Sequence, residues 1–471
     1  MADTISAIST APGRGAIAVV RLSGPDAVAI ADKLFRGKEK LAQTKSHSAR
    51  FGRLLSTSGE LVDEVLVTVM LAPDTYTGED VVEVSCHGGL LVSQTVLEAT
   101  LAAGARAAEP GEFTKRAFLN GRIDLAQAEA VAELVSARTR KAIQWALSQL
   151  TGGLSGRIRA LRTTLVRLLA EIEARIDFPE DVPEDLDRTA VAAGLEECVE
   201  LLDSIVSERA VAMIQGCGVR VPIVGRPNVG KSSLFNAIVG SSRAIVAAAP
   251  GTTRDTIEKE VEINGIPVNF VDTAGLRSAT EEVEEEGVKR SLEQLRQADL
   301  VVLVVDASGG GNASGAGFEA DAAILKSLAD RHCLVAVNKV DIASSERARK
   351  ALPRTDDGGH MSVIDVSAKE GEGLEQLKEL VTSMVKGSQL ELHERASVSR
   401  RHLDLLQSAR QSIEQAVALF GTGGPEDSSQ LPVELLAFEL RQALEALGAI
   451  TGETVGPDIL DSIFSRFCVG K

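Results

Sequence analysis

Short apolar runs at 219–224, 268–271, 300–305, 334–337 and 363–366 alternate with stretches of helical spacing. Near-continuous apolar runs are the pattern of strands buried on both faces, so a mainly parallel sheet with covering helices is expected there. Asn264-Gly265 separates apolar runs at 257–263 and 266–271, which predicts one antiparallel hairpin in that sheet. Ser308 to Gly317 is rich in Gly and Ser and is expected to be a mobile surface loop.

The flanks carry other periods. Residues 1–118 mix strand-like runs at 16–22, 65–70 and 81–85 with Gly and Pro stops, a mixed α/β pattern. From 125 to 176, Ala, Leu, Arg and Glu recur at helical spacing with almost no proline, so long helices are expected. Phe178 to Asp187 breaks that pattern, helix resumes to about Met213, and the chain is helical again after Gln389 with an interruption at 421–430. Helical composition on both sides implies that the α/β segment is inserted into a helical domain. The expected organisation is an N-terminal α/β domain over 1–118, helical segments over 119–217 and 386–471, and the inserted domain over 218–385.

A chain of 471 residues has room for several domains. No apolar run is long enough to span a bilayer and the start lacks a signal-peptide pattern, so a cytoplasmic protein is expected. Five scattered cysteines, none in a Cys-x-x-Cys pair, argue for reduced thiols and against structural zinc. The formal net charge of −17 repels phosphodiester backbones, so any work on nucleic acid needs a local basic patch or a basic partner.

The chemistry lies in the inserted segment. Residues 225–232 read Gly-Arg-Pro-Asn-Val-Gly-Lys-Ser, after a strand pattern and before a helix pattern, as a phosphate-cradling loop requires. Gly225 and Gly230 let successive N–H groups turn toward phosphate oxygens. Lys231 would reach the β- and γ-phosphates, and Ser232 would ligate Mg2+. Asp272-Thr273-Ala274-Gly275, Asn338-Lys339-Val340-Asp341 and Ser367-Ala368-Lys369 follow in that order. Asp272 can hold the metal through water while the Gly275 N–H senses the γ-phosphate. Asp341 can accept two hydrogen bonds from adjacent N–H groups on guanine, a donor pair that adenine lacks, with Asn338 and Lys339 supporting the base. The ordered set reads as a switch driven by GTP.

Gly251-Thr252-Thr253-Arg254-Asp255 occupies the natural place for a γ-phosphate sensor, and the residues alone do not separate Thr252 from Thr253. Ras-type GTPases place a water-orienting glutamine soon after Asp-x-x-Gly, whereas Leu276 stands after Gly275 here. Catalysis must therefore borrow another side chain, a cation or a partner. Glu281, Glu282, Glu284, Glu285 and Glu286 crowd one acidic stretch. Most suit a solvated helix face, and one of them could orient the water.

Two weaker signals are set aside. Gly13-x-Gly15-x-x-Ala18 fits a loose dinucleotide fingerprint, but strand-like residues follow it instead of a helix. Cys86-His87 has no further ligands beside it to make a metal site.

These motifs, with Ala11-Pro12-Gly13-Arg14-Gly15, the stretch 110–121 (Pro-Gly-Glu-Phe-Thr-Lys-Arg-Ala-Phe-Leu-Asn-Gly), the stretch 124–130 and the ending Cys468-Val469-Gly470-Lys471, resemble the MnmE (TrmE) family of tRNA-modification GTPases from end to end. The resemblance implies an N-terminal folate-binding domain that also forms a homodimer, a helical domain, and a GTPase inserted into the helices. It implies action with MnmG, a partner carrying FAD and using NADH, to install an aminomethyl or carboxymethylaminomethyl group at carbon 5 of the wobble uridine of certain tRNAs. A tetrahydrofolate derivative (5-formyl or 5,10-methylene) would supply the one-carbon unit, tRNA would be held largely through the partner, and K+ would stimulate hydrolysis.

By the same resemblance, Asn228, Ala247, Ala249 and Thr252 would surround K+, which would supply charge where Ras-type enzymes receive an arginine finger. Ser232 and Thr253 would then hold Mg2+, and Glu284 would position the water. The nucleotide-contacting set becomes Asn228, Val229, Gly230, Lys231, Ser232 and Ser233; Ala247, Ala248, Ala249, Pro250, Gly251, Thr252 and Thr253; Asp272, Thr273, Ala274 and Gly275; Asn338, Lys339, Val340 and Asp341; and Ser367, Ala368 and Lys369. Arg21, Glu83, Arg122 and Lys471 match the folate positions, although Arg122 stands where some relatives have lysine. Val469 replaces the usual isoleucine of the ending. Cys468 has two readings, a reactive thiol or one merely near the folate.

Overall fold

The computed structural model describes residues 3–177, 188–241, 243–244, 258–272, 298–309, 316–328, 331–352, 361–387, 397–421 and 433–470. The chain divides into two compact units, one of residues 1–132, 147–202 and 405–471, the other of residues 133–146 and 203–404.

The first unit contains a seven-stranded sheet ordered β3-β4-β5-β6-β2-β1-β7, built from β1 (Ile5–Ile8), β2 (Ile17–Ser23), β3 (Phe35–Gly37), β4 (Ser48–Leu55), β5 (Leu61–Met70), β6 (Val81–His87) and β7 (Arg106–Ala107). Neighbours are antiparallel except β1 and β7. Alternation decides its two faces. Ala18, Val20 and Leu22 of β2 and Val82 and Val84 of β6 point into a core closed by α1 (Ala27–Leu34) and α2 (Leu90–Ala102). Arg21 and Glu83 face the other way, directly opposite each other across β2 and β6.

The stretch 110–121 forms α3 (Glu112–Leu119). Gly111 enters it at φ 67, where a Cβ would lie 2.6 Å from the Phe464 carbonyl; only glycine combines that dihedral with that approach. The helical pattern from 125 onward becomes three helices, α4 (Leu125–Ser136), α5 (Arg140–Leu150) and α6 (Gly153–Asp177). The Thr139 hydroxyl accepts from the Ala142 N–H at the start of α5, and Gly152 at φ 89 ends it, the usual signals for a start and a stop. Leu154, Ile158, Leu161, Leu165, Leu168 and Ile172 are buried along α6. Their spacing of four and three gives one apolar stripe, and α6 packs on α13 (Val433–Thr451). Also present are α7 (Arg188–Cys217), α12 (Ser397–Gly421) and α14 (Pro457–Phe464).

The second unit is built on a sheet ordered β14-β13-β12-β8-β11-β10-β9: β8 (Val219–Val224), β9 (Arg243–Ala244), β10 (Glu258–Ile263), β11 (Ile266–Asp272), β12 (Val301–Asp306), β13 (Cys333–Asn338) and β14 (Met361–Val366). β11, β8, β12, β13 and β14 are parallel. Every residue of β12 and β13 is buried, which accounts for their unbroken apolar runs. One face packs on α8 (Lys231–Gly240) and α11 (Leu374–Gly387), the other on α9 (Ala316–Lys326) and α10 (Glu346–Ala351).

β10 and β11 pair antiparallel through Asn264 and Gly265, at φ 52 and 82, the double positive φ of the tightest hairpin turn. Of the Gly/Ser-rich stretch expected as a loop, Ser308 and Gly309 form a turn and Ala316 and Gly317 already belong to α9, with 310–315 outside the described residues. Among the described residues no helix is long and apolar enough to cross a membrane.

Candidate functional site

In an open parallel sheet, ligands meet the loops beyond the carboxyl ends of the strands. Here the loops after β8, β12, β13 and β14 converge at that edge. The loop after β8 bends sharply at Gly225, φ 144, and Gly230, φ 100. A Cβ on Gly225 would sit 2.4 Å from the Val304 carbonyl, and one on Gly230 would sit 2.2 Å from Asn338 Nδ2. Both glycines therefore serve the loop's shape and its close packing on β12 and β13. Asn228 adopts φ 64, a left-handed conformation that asparagine tolerates better than most residues.

Side chains of this unit bind the loop's carbonyls. Lys231 Nζ donates to Arg226 O at 2.7 Å, Lys339 Nζ to Asn228 O at 2.9 Å, and Asn338 Nδ2 to Val229 O at 2.9 Å. Lys231, the first residue of α8, is buried, and the amide groups of this turn stand at the positive end of that helix, where anions are favoured.

Asn338 is 2% exposed, and its Oδ1 accepts from the Ala368 N–H at 3.0 Å, so it joins the loops after β8 and β14. Lys339, at φ 69, also donates to Asp306 Oδ2 at 2.7 Å. Burial acts to raise the Asp306 carboxyl, but hydrogen bonds from Lys339 and Ser308 hold it below the ordinary carboxylate range. Asp341 Oδ1 accepts from Ser367 Oγ at 2.8 Å, which leaves the carboxylate oriented by a buried hydroxyl. Sequence patterns single out Asn338, Asp341 and Ser367, but not Asp306, which lies in no motif, and they give Ser308 only as the start of a Gly/Ser-rich loop.

Of the remaining expected nucleotide positions, Ser232 and Ser233 are exposed on the first turn of α8, Lys369 is exposed after β14, and Asp272 ends β11. Ala247, Ala248, Ala249, Pro250, Gly251, Thr252, Thr253, Thr273, Ala274, Gly275 and Glu284 lie outside the described residues.

The first unit presents a second cluster. Arg21 Nε and Nη2 donate to Glu83 Oε1 at 2.9 and 2.7 Å. The guanidinium carbon lies 5.7 Å from the ring centroids of both Tyr76 and Phe113, within the range of cation–π attraction. The Tyr76 hydroxyl is paired with Thr114 Oγ1 at 2.9 Å, and burial raises its pKa. Arg122 is exposed, with its Cγ against Gly78.

Lys471 lies outside the described residues, but the tail leading to it packs on β1. A Cβ at Gly470 would meet the Ile8 carbonyl at 2.3 Å. A cavity of about 660 Å³ lies beside this tail, lined among others by Ser6, Thr10, Arg14, Ser93 and Cys468. Ala7, the cross-strand partner of Arg21, lines it too.

A phosphate-loop cradle on a parallel sheet, tied to an Asn-Lys-x-Asp loop, defines a guanine-nucleotide-binding GTPase domain. Residues 125–468 match the family model described as the MnmE helical domain, and residues 4–122 match that of the N-terminus of the GTP-binding protein TrmE. The tRNA modification GTPase MnmE of Synechococcus sp. (strain JA-3-3Ab) is 44% identical over 100% of this chain and 99% of its own length. The protein of the same name from Chloroflexus aurantiacus is 44% identical over 100% of both. Among solved structures, the G domain of the T. maritima FeoB iron transporter is 31% identical over 35% of this chain and 98% of its own, with a TM-score of 0.25. The chain belongs to the MnmE (TrmE) family of tRNA-modification GTPases and is a GTP hydrolase acting in tRNA modification.

Proposed function

We propose that this GTPase is stimulated by K+ and works with the FAD- and NADH-dependent partner MnmG. Together they would install an aminomethyl or carboxymethylaminomethyl group at carbon 5 of the wobble uridine of certain tRNAs, using a folate one-carbon unit. The observation that carries the folate part is the Arg21–Glu83 pair seated on Tyr76 and Phe113. Its strand neighbour Ala7 lines the cavity shared with Cys468. A cation held over aromatic faces beside a carboxylate suits a flat heterocycle bearing both hydrogen-bond donors and an acidic tail. Arg122 and Lys471 would complete the contacts to it.

In the nucleotide domain the residues fit Mg2+-GTP. Ser232 is an exposed hydroxyl on the first turn of α8, an oxygen donor of the kind that Mg2+ takes, and Asp272, the last residue of the adjacent strand, would hold the ion through water. When bound, Mg2+ would neutralise charge developing on the β- and γ-phosphates. Thr253 would join Ser232 as its second ligand. Asn228, Thr252 and the carbonyls of Ala247 and Ala249 would hold K+, and Glu284 would orient the attacking water.

The homodimer would form through the first 118 residues, with tRNA held largely by MnmG, in the cytoplasm. The test is reconstitution of the purified chain with its partner, GTP, tRNA and a reduced folate in K+ or Na+ buffer. Mass spectrometry of the wobble uridine and phosphate release are the readouts. The modified base is expected only with folate and partner present, and faster hydrolysis is expected in K+. A modified base formed without folate, or equal rates in the two salts, overturns the corresponding part.

A further inference from the structure

The Arg226 side chain leaves the phosphate loop and meets α9. Its Nε and Nη2 donate to Oδ1 and Oδ2 of Asp321 at 2.8 and 2.9 Å. The Asp321 side chain is fully buried and that of Arg226 is 21% exposed. Gly317, in the first turn of α9, makes room for that guanidinium. A Cβ there would lie 2.8 and 3.0 Å from the two terminal nitrogens of Arg226, and 2.3 Å from the Gly309 carbonyl. At its other end the same residue carries the loop, since Arg226 O accepts the Lys231 ammonium at 2.7 Å.

We propose that Arg226 is a positioning residue for GTP, locked by Asp321 so that the loop backbone and the Lys231 ammonium are preset for the phosphates. The proposal rests on the reading of 225–232 as the phosphate-binding loop. Three facts carry it. A two-pronged guanidinium–carboxylate pair fixes orientation as well as charge, which a lysine point charge cannot do. A buried carboxylate that loses its partner is heavily penalised, so the pair holds a single arrangement. A loop ordered before binding avoids the ordering cost at the moment of binding. With Nε and Nη2 both engaged on Asp321, Arg226 acts through Lys231 and the loop, not on the reacting phosphate itself.

The test uses the full chain with GDP titrated calorimetrically and GTP hydrolysis followed at steady state. Arg226→Ala is expected to weaken GDP binding and raise KM for GTP by about tenfold, with kcat at saturation within about threefold, the split that marks lost binding without lost chemistry. Asp321→Asn is expected to do the same. The double variant is expected to be no worse than either single one, because both remove one interaction. Arg226→Lys keeps an ion pair on the buried carboxylate and so protects the fold, and it is expected to lose about threefold in affinity.

Wild-type affinity in Arg226→Lys and Arg226→Ala overturns the proposal. So does a fall in kcat at unchanged KM, or a double-variant loss equal to the product of the single losses. Failure of the wild-type chain to bind GDP would instead remove the underlying assignment of the loop.

Discussion

Asn338 Nδ2 donates to the Val229 carbonyl at 2.9 Å, so the loop expected to read the base is fastened to the loop expected to cradle the phosphates. Its Oδ1 is occupied as well, by the Ala368 N–H at 3.0 Å. Asn338→Ala removes both bonds from a residue that is 2% exposed. It leaves the buried Val229 carbonyl and the half-buried Ala368 amide without that partner, at about 1–3 kcal/mol. Affinity for GDP and GTP should therefore fall by about tenfold to a hundredfold. Calorimetric titration checks this, and wild-type affinity in the variant would mean that the tether contributes nothing to binding.

Asp341 is held by the Ser367 hydroxyl at 2.8 Å, which aims one carboxylate oxygen and leaves the other for a ligand. A carboxylate accepts from the adjacent N–H groups of guanine; a carboxamide in its place presents one donor and one acceptor, which matches xanthine. Asp341→Asn should weaken GTP and strengthen XTP in competition, while Ser367→Ala should weaken GTP by only about threefold to tenfold through lost orientation. If Asp341→Asn still prefers guanine as strongly as the wild type, Asp341 does not read the base.

Much of this site was legible in the chain because its chemistry is local. Gly225 to Ser232 bend one strand-to-helix turn, and the strands around it are apolar on both faces, so periodicity and spacing locate them. What escaped is non-local. Asp321 lies 95 positions from Arg226 and Asp306 lies 33 from Lys339, and a single acidic residue in a helix or at a strand end gives no pattern. Thr139 and Gly152, which separate α4, α5 and α6, are single residues inside continuous helical spacing and give no pattern of their own. The stretch 110–121 illustrates the same limit. Its Phe113, Thr114 and Arg116 are explained only by partners brought from β1, β2 and the 76–79 turn.

Arg21 and Glu83 face each other across β2 and β6 with the guanidinium over two rings. If this cluster holds a reduced folate, Arg21→Ala should lower affinity for 5-formyl-tetrahydrofolate by about tenfold or more, the loss expected for a charge-assisted contact. GTP hydrolysis by the purified chain should stay within about twofold, since the nucleotide loops belong to another unit. Tyr76→Phe removes only the hydroxyl bonded to Thr114 and should cost far less. Equal folate affinity in Arg21→Ala and the wild type would move the folate away from this face.

Asp3 accepts from Arg106 Nε and Arg116 Nη2, each at 2.6 Å. Arg116 also reaches Glu79 and Glu112. The Arg106 hydrogen bond is the chief reason that the Asp3 carboxyl is lowered from 3.8 to about 2. A folded-state pKa below the unfolded one gives stability that is complete above the unfolded value and is lost as pH falls through the folded value. The Asp3 contribution should therefore be present at pH 7 and fade between about pH 4 and pH 2. Its side chain is 48% exposed, so solvent screening limits the contribution to about 1 kcal/mol. Urea unfolding of Asp3→Asn against wild type should show that deficit at pH 7 and a shrinking one toward pH 2.5. A deficit unchanged across that range would assign the effect to packing of the N-terminal strand instead of to its charge.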